Sequence, residues 1–352
     1  MQAQAGTATT TTTSPADAAE IGRVAPETMT AVVQRAYGDA DVLDIDRVDV
    51  PRPGPGQVLL EVRAAGLDRG TWHLMTGLPY LTRLMFGLRR PKQPVPGFDV
   101  AGVVVAVGEG VDRFSVGDEV FGTADGSFAE YALAEASTLA RKPRSVSFED
   151  AAVVPVSGLT AHQAVHDSGR VAAGQRVLVI GASGGVGGYA VQLAALAGAE
   201  VTGVASGAKA EHVRSLGAVR VIDYRATDVS RGTERYDLIV DINGRLPVRR
   251  LQRILAPTGT LVIVGGEGGG RLTGGLQRQL GAPVRSLFTR KRLTFFISSH
   301  DQGRLDELAA LLAAGDLSAT VGRTYPLADV RRAVRDLVAG RVPGKAVISV
   351  GR

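Results

Sequence analysis

Val177-Leu178-Val179-Ile180-Gly181-Ala182-Ser183-Gly184-Gly185-Val186-Gly187 decides the fold. An apolar run ends in a glycine turn, and Val186, Ala190, Val191 and Ala194 then recur at helical spacing before a second apolar run from Glu200 to Ala205. Strand, glycine turn, helix and strand form the unit that seats a dinucleotide pyrophosphate on a helix N-terminus. Backbone N–H groups must approach the phosphates closely, so a Cβ at Gly184 or Gly187 would block that approach or the packing beneath it. Ala182 replaces the first glycine of the strict G-x-G-x-x-G pattern.

The second strand bears on which nucleotide is held. An NAD site places an Asp or Glu at its end, about 20 residues past the turn, to accept from the ribose hydroxyls. Here the strand ends Val204-Ala205-Ser206-Gly207-Ala208-Lys209, without an acid. Ser206 and Lys209 suit a 2′-phosphate, one as a hydrogen-bond donor and the other as a point charge, so the expected cofactor is NADPH. The plainer reading makes Lys209 a solvated residue at a helix start.

Outward from this unit, strands and helices alternate from about Ser157 to Lys291. Strands are predicted at Val177–Ile180, Val201–Ala205, Val219–Ile222, Leu238–Asp241 and Thr260–Val264, which implies a doubly wound parallel sheet. The stretch from Met29 to about Pro155 is instead strand-like and rich in turns, with Val58–Arg63 alternating and Gly117-Asp118 turning between Ala101–Val107 and Glu119–Phe121. Two amphipathic helices follow residue 292, stopping at Gly315 and Gly340. The terminal strand, Ala346–Val350, is expected to return to the N-terminal barrel.

The 352 residues suit two domains, and 45% hydrophobic content is ample for their cores. The net charge of +5 comes from scattered cations without interleaved aromatics, so no nucleic-acid partner is expected. The absence of cysteine excludes disulfides, redox thiols and cysteine-ligated zinc. No apolar run reaches the ~18 residues of a membrane helix, and no membrane partner is expected. Residues 1–28, rich in Ala and Thr, read as a disordered leader without the apolar core of a secretory signal. A cytoplasmic protein is the simple expectation.

Further segments fall into a familiar order: Gly54-Pro55-Gly56-Gln57-Val58, Gly97-Phe98-Asp99-Val100-Ala101-Gly102, Val116-Gly117-Asp118-Glu119-Val120, Gly158-Leu159-Thr160-Ala161 and Gly344-Lys345-Ala346-Val347-Ile348. Together with the glycine turn they resemble the medium-chain dehydrogenase/reductase superfamily over the whole chain from Met29. The resemblance implies a GroES-like catalytic domain from residues 29–156 and 293–352 and a Rossmann domain from residues 157–292. The zinc alcohol dehydrogenases are a poor match, because Asp68 and Phe98 stand where those enzymes carry cysteine and histidine ligands. Asp68, Asp99 and His73 offer an oxygen-rich metal site in principle, but three such residues scattered over a barrel are usually structural. The chain therefore resembles the zinc-free, quinone oxidoreductase-like and enoyl reductase-like branch.

That branch implies 2′-phosphate contacts from Ser206, Lys209 and Tyr224, and places Asn243, Gly265 and Gly266 along the nicotinamide half. Lys345 is expected over the pyrophosphate, with Thr160, Ser183, Gly184, Gly185, Val186 and Gly187 completing the cofactor contacts. Without a Lewis acid, hydride transfer favours acceptors that delocalise the arriving charge, namely quinones and α,β-unsaturated carbonyls. Tyr80, in Gly77-Leu78-Pro79-Tyr80, resembles the tyrosine donor of enoyl reductases, with a one-residue change of spacing. Asp68 orients a neighbour or caps a helix, and His73 is a proton donor or an ordinary packed histidine. Trp72, Tyr80 and Phe98 are candidate walls of the substrate pocket, with residues 81–94 either a flap over it or an excursion packed on the barrel. A zinc-free alcohol or carbonyl dehydrogenase and a non-catalytic NADPH-binding protein are the competing readings. The resemblance also implies a homodimer or homotetramer acting on a small apolar substrate.

Overall fold

The computed structural model describes residues 25–266 and 269–351. Of the leader expected over 1–28, residues 1–24 lie outside the described residues, and Thr28 already opens the first strand. The barrel half begins with β1 (Thr28–Gln34) and β2 (Leu43–Asp49), paired antiparallel. It continues through β3 (Gln57–Leu67), β4 (Asp99–Val107), β5 (Glu119–Thr123), β6 (Tyr131–Glu135) and β7 (Leu139–Arg141). Alternate residues of these strands, among them Val58, Leu60, Val62, Val100, Val104 and Val120, form one buried apolar cluster.

The chain then lays down β8 (Arg176–Ile180), β9 (Glu200–Ala205), β10 (Arg220–Asp223), β11 (Tyr236–Asp241), β12 (Leu255–Ile263) and β13 (Arg292–Phe295). These six strands form one parallel sheet in the order β10-β9-β8-β11-β12-β13. Its two faces are covered separately. Val177 and Val179 of β8 pack with Tyr189, Ala190 and Leu193 of the helix Gly185–Leu196, whereas Leu178 and Ile180 pack with Leu251 and Ile254 of the helix Val248–Ile254. Apolar residues at every position of a strand are what burial on both faces requires.

The sixth strand, β13, was not anticipated: it is four residues long and alternates Arg292 and Thr294 with Leu293 and Phe295, so it shows no apolar run to read. It extends the parallel sheet beyond residue 292. The helix Gln302–Ala314 follows and ends at Gly315, whose φ of 79° is the left-handed conformation a helix C-terminus favours. Two final strands, β14 (Val321–Pro326) and β15 (Lys345–Ser349), close the barrel sheet in the order β14-β15-β3-β4-β5-β7. The predicted return of the terminal strand is therefore seen, with β15 antiparallel to β3 and parallel to β14. The result is a GroES-like barrel built from both chain ends around a Rossmann sheet.

Candidate active site

The glycine turn sits where the strand order reverses, between β8 and β11, whose carboxyl ends open a crevice. Gly181 has a φ of 91°, and a Cβ there would stand 3.6 Å from the backbone nitrogen of Asn243, so the two loops lie side by side. A Cβ on Gly187 would overlap the Gly181 carbonyl, which fixes glycine where helix meets strand. The space at Gly184 is different in kind. A Cβ there meets nothing nearer than the Gly181 oxygen at 3.5 Å, leaving open room in front of the helix N-terminus. That is the room a pyrophosphate needs, with Gly185 and Val186 opening the helix behind it.

A cavity of about 530 Å³ extends from this turn and is lined by Ser183, Ser206, Lys209, Tyr224 and Asn243. Ser206 is buried and Tyr224 is half-exposed at the rim. Lys209 donates to the carbonyls of Gly340 and Val342, each at 3.1 Å. An ammonium has three donors, so one remains for an anion in the cavity. Burial, and then the nearby Arg225 charge, hold the Lys209 pKa below the usual lysine value. Arg225 and Arg245 also line the cavity, and sequence reasoning missed both. Their signal was slight: each sits one or two residues past a residue that was read, in loops where an arginine is ordinarily solvated. The carboxylate of Asp228 also lines the cavity, engaged by Ser230, Arg231 and Arg250.

A second cavity, of about 570 Å³, lies beside the helix Arg69–Thr76. Its walls include Trp72, His73, Leu78, Leu81, Met85 and, from across the cleft, Gly266 and Leu276. Trp72 also packs against the barrel core. Gly265 approaches so closely behind that a Cβ would overlap the Ile242 carbonyl. Phe98 instead borders an adjoining pocket of about 110 Å³ with Leu74, Met75 and Phe86, and Met85 touches both spaces. Tyr80 does not line the larger cavity. It is 41% exposed, its ring lies 4.7 Å from the Arg83 guanidinium, and its backbone N–H donates to the Arg271 carbonyl.

His73 carries a definite tautomer. Its Nδ1 stands 2.9 Å from the Leu78 carbonyl, which only accepts, so Nδ1 bears the proton. A neutral His73 therefore presents Nε2 as an acceptor, and donation from Nε2 requires the imidazolium. Asp68 caps its helix, accepting from the Thr71 N–H at 2.8 Å and the Thr71 hydroxyl at 3.1 Å. Its other oxygen stands 3.4 Å from the Lys345 ammonium, which also pairs with Asp99. Lys345 is 1% exposed, and burial lowers its pKa against the opposing pull of Asp68. The Lys345 side chain thus lies between two carboxylates, while its neighbour Gly344 donates to the Ser183 carbonyl at 2.8 Å and so touches the glycine turn. Thr160 donates to Val156 and lies 3.0 Å from the Ser298 hydroxyl just beyond β13.

The donor set around Asp68 does not suit zinc. Asp68 and Asp99 share a lysine ammonium, Phe98 supplies only hydrocarbon, and no three His, Cys, Asp or Glu side chains converge among the described residues. Fold and cavities together define a two-domain oxidoreductase that binds a nicotinamide dinucleotide. Comparison with known proteins narrows the class. An alcohol dehydrogenase GroES-like domain model matches residues 54–144, and a zinc-binding dehydrogenase model matches residues 216–348. The chloroplast envelope quinone oxidoreductase homolog of Arabidopsis thaliana is 30% identical over 92% of this chain and 99% of its own. Quinone oxidoreductase from Coxiella burnetii superposes with a TM-score of 0.80 at 27% identity, over 92% of this chain and all of its own. A mycobacterial protein solved with NADPH superposes at 0.78 and 28% identity, with the same coverage. The chain belongs to the medium-chain dehydrogenase/reductase superfamily, in its quinone oxidoreductase-like branch.

Proposed function

We propose that this protein is an NADPH-dependent, zinc-independent reductase of quinones or α,β-unsaturated carbonyl compounds. The observation that carries the reading is the cavity at the end of β9, where Ser206, Lys209, Tyr224 and Arg225 gather and no acid follows the strand. Two cations and two hydroxyls suit a 2′-phosphate, whereas a ribose diol calls for a carboxylate. When bound, the nicotinamide supplies the hydride, and the protein supplies orientation and a proton.

In this reading Ser183 and the turn N–H groups hold the pyrophosphate, and Asn243 and Gly266 border the nicotinamide half. Trp72, Leu78, Leu81 and Met85 give the acceptor an apolar wall to pack on. His73 stands on that wall as the candidate proton donor. Asp68 acts at one remove, fixing the helix that carries Trp72 and His73. Tyr80 reaches the cavity only if the turn at 78–82 rotates. A quinone or enone suits this site because its own conjugation spreads the charge that a metal would otherwise hold.

The proposed assembly is a homodimer in the cytoplasm. β13 is an edge of the Rossmann sheet, and Leu287, Phe288 and Ile297 beside it are 80–86% exposed. Phe288→Asp with Ile297→Asp is expected to yield monomers by sedimentation. The functional reading is tested by equilibrium titration with NADPH and NADH alongside metal analysis of the purified protein. Tighter NADPH binding by metal-free protein is the expected result. Equal affinities, or a stoichiometric metal needed for turnover, would overturn it.

A further inference from the structure

Charge is spread unevenly along this chain. From Arg69 to Phe98 there are five cations and no carboxylate, and from Gly269 to His300 six cations and no carboxylate. The whole chain is only +5, so everything outside these two segments is net acidic. The fold brings the two together. The Tyr80 and Leu81 N–H groups donate to the Arg271 and Leu272 carbonyls at 2.8 and 3.1 Å, and both segments wall the 570 Å³ cavity.

Where they meet, the surface is apolar. Leu81, Leu84, Met85 and Leu88 fall on two short helical turns, Tyr80–Thr82 and Arg83–Phe86, and the bend after them, and are 42–71% exposed. Across the cavity mouth stand Leu272, 68% exposed, and Leu280, one turn beyond Leu276. The base of this projection is fixed. Arg83 lies 4.4 Å from the Tyr37 ring and donates to the Gly77 carbonyl at 3.0 Å, so the leucines are held outward on a braced turn. Around them Arg89, Arg90, Lys92 and Arg271 have no side-chain hydrogen bond or ion pair among the described residues.

We propose that this face docks on an anionic lipid surface, with Leu84 and Leu88 entering the interfacial layer and Arg89, Arg90, Lys92 and Arg271 against headgroup phosphates. Protruding leucines ringed by unpaired cations are the composition of an interfacial anchor. A second copy fits poorly, because a two-fold contact would set each cationic rim against its own kind. A nucleic acid would leave the leucines exposed. No helix among the described residues is long and apolar enough to cross a membrane, so the contact is peripheral. The cavity mouth then opens toward the bilayer, and, resting on the reductase reading, the acceptor is a lipid-dissolved quinone or enone.

The test is co-sedimentation of the full chain with vesicles of phosphatidylcholine alone and with a third of the lipid as phosphatidylglycerol. Binding is expected to be about tenfold stronger to the anionic vesicles and to fall with added salt. Leu84→Asp with Leu88→Asp, and separately Arg89→Gln with Arg90→Gln, should each weaken it about tenfold while NADPH oxidation by a short, water-soluble quinone is unchanged. Equal binding to both vesicle types, undiminished binding by either variant, or an altered oligomeric size in the leucine variant would overturn the proposal. If the parent turned over no acceptor at all, the reductase reading would fail while vesicle binding still decided the docking.

Discussion

Lys209 concentrates the case for NADPH in one side chain. With two of its donors on the Gly340 and Val342 carbonyls, its third is aimed by the fold and not left to a mobile stem. Lys209→Gln is expected to raise the KM for NADPH about thirtyfold, roughly 2 kcal/mol for a charged hydrogen bond, and to leave that for NADH alone. The pH dependence has a definite sign. Only the ammonium attracts the phosphate, and its pKa lies below the usual lysine value, so NADPH affinity should fall as pH rises through that pKa while NADH affinity does not. Lys345 makes a different prediction. Lys345→Met leaves the buried Asp99 and the partly buried Asp68 without their cation, which should cost about 3 kcal/mol in urea unfolding. Ser206 and Lys209 were legible in the sequence because they follow a strand whose end is chemically diagnostic. The Asp68–Lys345–Asp99 cluster was not, since its members are brought together by pairing of β15 with β3 and β3 with β4, a matter of register between distant segments.

At the scale of the element, the glycine turn separates binding from folding. Gly187→Ala sets a methyl group against the Gly181 carbonyl and should lower stability by about 1–3 kcal/mol, read as a shifted thermal midpoint. Gly184→Ala meets no such obstacle, so it should keep the parent midpoint and lose NADPH affinity. A midpoint lowered as far by Gly184→Ala as by Gly187→Ala would show that the space before the helix is not reserved for a ligand. The turn was legible because glycine spacing, an apolar run and a helical period coincide there. β13 and β14 were not, being short strands with charged or polar residues at half their positions, which take their conformation from the neighbours they pair with. The loop at 269–275 and the start of the helix Leu276–Ser286 were likewise silent, since nothing local shows that they wall the cavity.

For the molecule as a whole, the two domains are joined by more than their crossings. β15 lies inside the barrel sheet between β14 and β3, buries Ala346, Val347 and Ile348, and through the preceding Gly344 touches the Rossmann turn. Truncation before residue 345 should therefore abolish protease resistance of the barrel, not merely trim an end. The return of that strand was legible because it has no partner within the alternating region, while the relation of the two cavities to each other was not. Their joint meaning rests on chemistry, and the most direct test is NADPH oxidation by paired acceptors, a quinone and an enone each matched to a saturated ketone of similar size, with a chelator present. Turnover of the conjugated members, indifferent to chelator and at least tenfold faster than the ketones, roughly 1.4 kcal/mol of activation free energy, is the predicted result. Preference for the saturated ketones, or loss of all turnover with the chelator, would contradict it.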